Sequence, residues 1–212
     1  MLKQNKKTII WSTVLIFLPM LAGLCLWSVL PAQLPVHWNF EGIADGYSSK
    51  AFAVFGINSI LLICHLIIVL LTAADPKKQN IQGKMLTFTY WLMPVFGVLL
   101  NSALYAVALG VQLNMTEFIM ASVGVLFVFW GNWMPKIQPN YTMGIKLPWT
   151  LDNDENWRKT HRMAGPVWIA GGVLTIIAPF LGKYGLAFYL VVLVFMVLIP
   201  VIYSFCLYRK TN

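Results

Sequence analysis

The sequence predicts an all-α integral membrane protein: a six-helix transmembrane bundle with N and C termini cytoplasmic and an amphipathic surface helix before the fifth span. Three observations predict it. Of 212 residues, 59% are apolar and only 10% charged, whereas charged residues make up roughly a quarter of a soluble domain. The apolar residues gather into six runs, 8–30, 51–74, 85–109, 116–134, 164–181 and 186–208. Each is about long enough to cross a hydrocarbon core of roughly 30 Å at ~1.5 Å per residue. Finally, of the 15 Lys and Arg, all but Lys50 and Lys183 fall at the N-terminus, in connectors 75–84 and 135–163, or in the tail. Those segments share one side of a six-span chain, and the positive-inside rule makes that side cytoplasmic. The net charge of +8 therefore encodes orientation, and no direct nucleic-acid binding is expected. The lipid bilayer is the first partner, and residues 1–212 read as a single membrane domain.

Span one follows Lys3, Lys6 and Lys7 and carries Pro19 and Gly23, a kink or point of close approach that neighbouring helices can accommodate. Its apolar run is too long for a signal-peptide core and no cleavage site of small residues follows it, so a retained helix is expected. Connector 31–50, the extracellular one, opens on Pro31 and Pro35, which keep it extended. Gly42 and Asp45-Gly46 supply turn chemistry, and Ser48 or Ser49 suits the start of span two. His37, Glu41 and Asp45 recur every four residues, a metal-ligand spacing on a helix. The glycines argue against a helix and no fourth ligand is evident, so a folded cap without metal or cofactor is expected.

Span two places Asn58, His65 and Thr72 at seven-residue intervals, one polar stripe that should face protein rather than lipid. Span three has a parallel stripe in Thr87, Pro94 and Asn101, with Tyr105 a turn beyond. Similar depth from the outer edge pairs Asn58 with Asn101. As packing groups, such residues contribute roughly 0.6–2 kcal/mol each. The short connector 110–115 makes spans three and four antiparallel neighbours, as five and six should be. Gly171-Gly172 and Pro179 mark close packing and a kink in span five. Cys25, Cys64 and Cys206 all lie in spans and form no disulfide framework.

The most polar long stretch is 131–165. Asp152 with Glu155 three residues on resembles a capping box. Asp154 reaches Arg158, and Glu155 reaches Lys159, at the stabilising i,i+4 spacing. At ~100° per residue, these charges and Arg162 share one arc while Trp157, His161, Ala164 and Trp168 take the opposite one. Such a helix, running into an apolar span, belongs at the membrane surface. The plainer reading is a solvated connector whose charges keep it out of the bilayer.

One stretch reads Leu34-Pro35-x-His37-Trp38-Asn39-x-x-Gly42-x-x-Asp45-x-x-x-Ser49-Lys50. Another reads Gly131-Asn132, Asn140, Gly144-Ile145-Lys146-x-Pro148-Trp149-Thr150-Leu151, then Trp157-x-x-Thr160-His161-Arg162-x-x-Gly165. Together these two stretches resemble the bacterial SdpI-like family. Lys146 stands where an arginine is commoner, which replaces a bidentate guanidinium by a point charge. The resemblance implies a bacterial plasma-membrane protein that gives immunity to a secreted, membrane-active peptide toxin. It also implies signalling, by holding a small winged-helix repressor at the membrane. On that reading His37, Trp38, Asn39, Gly42, Asp45 and Lys50 serve extracellular recognition. The cytoplasmic signature is Asn132, Asn140, Gly144, Lys146, Pro148, Trp149, Thr150, Trp157, Arg158, Thr160, His161 and Arg162.

Two other classes compete. A carrier or binder of a small solute or lipid head group would want ionisable groups near the midplane, where only His65 stands. An enzyme would want a nucleophile–base pair, a metal cluster or paired carboxylates. His161 with Asp152 or Asp154 is the only loose combination, and it lies on different helix faces, so no catalytic residue is expected.

Overall fold

The computed structural model describes residues 1–211. The elements are α1 (Lys6–Cys25), a hairpin of β1 (Gln33–Trp38) and β2 (Ala44–Ser49), α2 (Ile57–Ala74, entered through a π-turn at Phe52–Gly56), α3 (Gly83–Ala108), α4 (Met115–Trp133), the short α5 (Pro148–Asp152), α6 (Asp154–Ile177) and α7 (Gly185–Thr211). Among the described residues, five helical stretches are long and apolar enough to cross a membrane: Lys6–Cys25, Phe52–Ala74, Gly83–Ala108, Met115–Lys136 and Asp154–Lys210. The last runs for 57 residues, about 85 Å at helical rise, and is not one rod. Gly182 breaks it at φ 54°, ψ −129°, and α7 packs back along α6, with Gly171 against Met196.

The chain forms two compact units: Met1–Ala74 with Gln82–Thr116, and Asp75–Ile81 with the chain from Glu117 onward. In the first, α1, α2 and α3 surround an apolar cluster of Leu30, Leu34, Ala53, Val54, Leu104 and Tyr105. A ladder of polar contacts runs through it. Asn58 and Asn101 exchange two amide hydrogen bonds of 3.1 Å, and each also donates to its own helix at Val54 and Gly97. Nε2 of His65 lies 3.1 Å from Thr13 Oγ1 and 3.4 Å from Ser12 Oγ. Thr72 and Tyr90 share a hydroxyl–hydroxyl bond of 3.0 Å, and Tyr105 donates to the Pro19 carbonyl at 3.0 Å. The α3 side of the ladder is Tyr90, Asn101 and Tyr105. Thr87 is exposed and bonds only its own helix at Gly83, because an α-helix drifts ~20° per seven residues from a strict heptad. Replacing Asn101 with alanine leaves the Asn58 Oδ1 without its donor, while Nδ2 keeps the Val54 carbonyl. We expect about 1 kcal/mol of destabilisation, read as a lower melting temperature in detergent, with recovery in the Asn58→Leu/Asn101→Leu pair.

In the second unit, α4 and α6 cross antiparallel on two glycine pairs. A Cβ on Gly131 would stand 2.7 Å from the Gly165 carbonyl oxygen, and one on Gly172 2.6 Å from that of Gly124. No side chain fits there, so backbone meets backbone, the means by which apolar helices gain packing where lipid offers no hydrophobic drive.

Connector 31–50, expected as a folded cap, is an antiparallel hairpin in an otherwise helical fold: Gly42 and Gly46, with extended Gln33–Trp38, favour a turn between strands. One expectation is corrected: Asp152 does not cap α6. It ends α5, while Asn153 is the cap, its Oδ1 accepting from the backbone N–H of Glu155 and Asn156 at 2.9 Å. A neutral amide in extended backbone meets both orphan donors at once. Ser49 does cap the second span, accepting from Phe52 N–H at 3.3 Å.

Candidate functional site

Two structured connectors carry nearly all the residues singled out from the sequence. In the hairpin, Asn39 builds the turn. Its Oδ1 accepts from Glu41 and Ile43 N–H at 3.0 Å each, and its carbonyl accepts from Gly42 N–H and from Thr116 Oγ1. Gly42 sits at φ 82°, where a Cβ would also meet the Asn114 amide at 2.7 Å. Lys50 donates to the carbonyls of Trp27 and Leu30 at 2.7 and 2.8 Å, with its ammonium over the Trp27 ring. It satisfies carbonyls left open where α1 ends. Asn39, Gly42 and Lys50 thus shape the cap. What the cap presents is an exposed His37–Asp45 pair at 2.6 Å, half-buried Trp38, and the exposed side chains of Ile43 and Tyr47. The last two were missed, although Tyr47 stands two residues from Asp45 on the same outward-alternating strand.

The 131–165 stretch folds around Trp157, which is fully buried. Its indole donates to the Ile137 carbonyl at 2.8 Å and its ring stacks on His161, centroids 4.1 Å apart. His161 is held at both nitrogens: Nε2 accepts from Ile145 N–H and Nδ1 faces the Trp157 carbonyl, each at 2.9 Å. The amide donor at Nε2 requires the neutral Nδ1–H tautomer. Gly144 lets the loop reach the imidazole: its φ is 106°, and a Cβ would collide with Nε2. Thr150 closes the next turn, donating to the Ile145 and Leu147 carbonyls and accepting from Leu147 N–H. Pro148 opens α5, and Trp149 anchors it to α7 through a 3.0 Å bond to Ser204 Oγ and stacking on Tyr208. Thr160 donates to Asn156, whose amide donates to the Ser204 carbonyl. Lys146 donates to the Tyr141 and Thr142 carbonyls. Asn132 is exposed, as are Arg158 and Arg162.

Asp75 is the residue that sequence reading passed over. It is buried, and its carboxylate accepts from Thr142 Oγ1 at 2.6 Å, Tyr141 N–H at 2.9 Å and Lys77 N–H at 2.8 Å. Asn140 continues the clasp, its Oδ1 accepting from Thr142 and Met143 N–H. Residues 75–81 are thereby joined to the loop, with Asn80 donating to the Pro139 carbonyl at 2.7 Å. A lone acid at the end of a span, followed by proline, was the available signal.

His161 lies in the polar first turns of α6, ahead of the apolar run from Ala164. Burial pushes its pKa down to about 4, against a smaller upward pull from the Trp157 carbonyl. The folded protein thus keeps the imidazole neutral where the unfolded chain would protonate it. The stability it contributes is complete above the ordinary value of 6.5 and is lost as pH falls from there towards 4. The expected loss is roughly 2–3 kcal/mol, measured as the pH dependence of unfolding in detergent and absent from His161→Gln.

The apolar helices and structured polar connectors define a multi-pass membrane protein, with a glycine-packed helix pair carrying a clasped loop. Residues 136–204 match the SdpI/YfhL protein family, and residues 14–62 match a domain of unknown function, DUF1648. The chain is similar to the Immunity protein SdpI of Bacillus subtilis (strain 168), 26% identical over 208 residues that cover 98% of each chain. No solved structure matches it.

Proposed function

We propose that this is a membrane immunity protein, protecting its producer against an exported, membrane-active peptide toxin by binding rather than catalysis. The observation that carries the reading is similarity along 98% of both chains to a protein named for immunity. We infer one membrane domain of six spans, α6 and α7 each crossing once, with both termini, connector 75–84 and the clasped loop on the cytoplasmic side, where Lys and Arg concentrate. The hairpin then lies outside and meets the peptide through His37, Asp45, Trp38, Ile43 and Tyr47. The inner surface around Lys146 and Trp149 holds a small winged-helix repressor, relieving its repression when toxin is captured.

The test is to delete the gene and challenge cells with the cognate peptide while following survival and membrane potential. Loss of both, restored by the gene, is the expected result. Unchanged survival would end the immunity reading, and a candidate repressor that stays cytosolic during challenge would end the signalling half. A second reading, a binder of a small solute or lipid head group, has one observation in its favour: Nδ1 of His65 is buried without a hydrogen-bond partner. Uptake by reconstituted vesicles that disappears in His65→Ala would favour it.

A further inference from the structure

Beside the clasped loop lies an open cleft of about 450 Å³. One wall is Pro135, Ile137 and Gln138, the chain leaving α4; the other is the first turns of α6, with Arg158, Lys159 and Arg162. Lys159 is paired with Glu155, also in the cleft, at 2.7 Å. Neither Arg158 nor Arg162 has a hydrogen-bonded or ion-paired partner among the described residues; the Glu155 carboxylate, held by Lys159, acts on Arg158 only through space, so two guanidiniums one helical turn apart leave the cleft net positive. Arginine forks match phosphate oxygens in a bidentate way that an ammonium does not.

The position of the cleft selects the source of the phosphate. The span that contains α4 ends at Lys136, and the apolar run of α6 begins at Ala164. The helices cross antiparallel through Gly131 and Gly165, so both reach the edge of the hydrocarbon at the same level. Lys136 lies 5.1 Å from the Trp133 ring centre there, an aromatic–basic combination suited to the head-group layer. The cleft thus opens at the end of both apolar runs, the level at which lipid phosphates reside. Basic pockets between helices at this depth recognise anionic head groups.

We propose that Arg158 and Arg162 bind the phosphate of an anionic phospholipid, holding one lipid against the junction of α4 and α6. The shared chemistry, a phosphate anion, also fits soluble phosphate, and an acidic protein segment is the rival macromolecule. The experiment uses the full-length protein in mixed micelles, with native mass spectrometry reading retained phosphatidylglycerol or phosphatidylcholine. Phosphatidylglycerol should be retained selectively and persist in millimolar inorganic phosphate. Arg158→Gln/Arg162→Gln should retain it about tenfold less or weaker still, as expected for two basic groups at a lipid surface, with an unchanged melting temperature. Lys3→Gln/Lys6→Gln, which removes the same charge elsewhere, should retain it fully. Arg162→Lys should fall between, since it keeps charge but loses the fork.

Equal retention of both lipids, or undiminished phosphatidylglycerol in the folded double arginine variant, would overturn the proposal. Displacement by inorganic phosphate would reassign the cleft to a soluble anion. Lipid retention unaffected by a double substitution that abolishes binding of a polyglutamate peptide would reassign it to a protein partner.

Discussion

Gly131→Val should destabilise the second unit severely, by forcing apart the seam between α4 and α6. Its first added carbon would lie 2.7 Å from both the Gly165 carbonyl oxygen and the Ile169 nitrogen. Both neighbours are backbone, so no side-chain rotation relieves the clash. Overpacking usually costs about 1–3 kcal/mol where side chains can adjust, and the upper end or beyond is expected for this seam. Opening it would separate α4 from α6 and disturb Pro135 at its end, which itself packs on Gly165. The measurement is the thermal unfolding midpoint of the purified protein, with Gly131→Ala falling less than valine. Gly110→Ala is the comparison: its φ is 93°, but no atom lies within 4 Å of its added Cβ, so only backbone strain of about 1 kcal/mol is expected.

Trp157→Ala should cost about 3–5 kcal/mol, the range for truncating a buried aromatic, and its effect should spread along the loop. The indole fills the space under residues 137–147, donates to the Ile137 carbonyl and stacks against His161. Removing it leaves that carbonyl unsatisfied and the imidazole without its stacking partner. Amide exchange at Ile145, whose N–H donates to His161, should accelerate by orders of magnitude if the loop opens. Trp157→Phe keeps most of the packing and loses one hydrogen bond, so it should cost only about 1–3 kcal/mol. Equal exchange rates at Ile145 in the alanine variant and the parent protein would show that Trp157 does not organise the loop.

These effects explain what was legible beforehand. The apolar runs appear directly as helices, because only helices satisfy their own backbone in hydrocarbon. The arc of Trp157, His161 and Ala164 was equally legible, since periodicity alone puts them on one face, and all three are buried. Residues 154–163 are the opening turns of α6 itself and run into the apolar stretch that follows, as expected. What stayed hidden depended on chain reversals and partners far apart in sequence. Nothing local distinguishes Asp75 from a solvated loop acid until Tyr141 and Thr142 arrive 66 and 67 residues later. Nor does local pattern separate Arg158 and Arg162, which project freely, from Lys146, which is engaged with loop carbonyls. In the hairpin, Lys50 reads as a recognition cation until its two carbonyl partners on the preceding turns are seen.

The proposed function requires a capture surface and a signalling surface on opposite sides of the membrane. With Cys25, Cys64 and Cys206 replaced by serine, single cysteines at His37 and Arg158 test this in intact cells, since both positions are exposed and neither holds a loop together. A membrane-impermeant maleimide should label His37→Cys in whole cells and Arg158→Cys only after lysis. Labelling of both from the same side would contradict that arrangement.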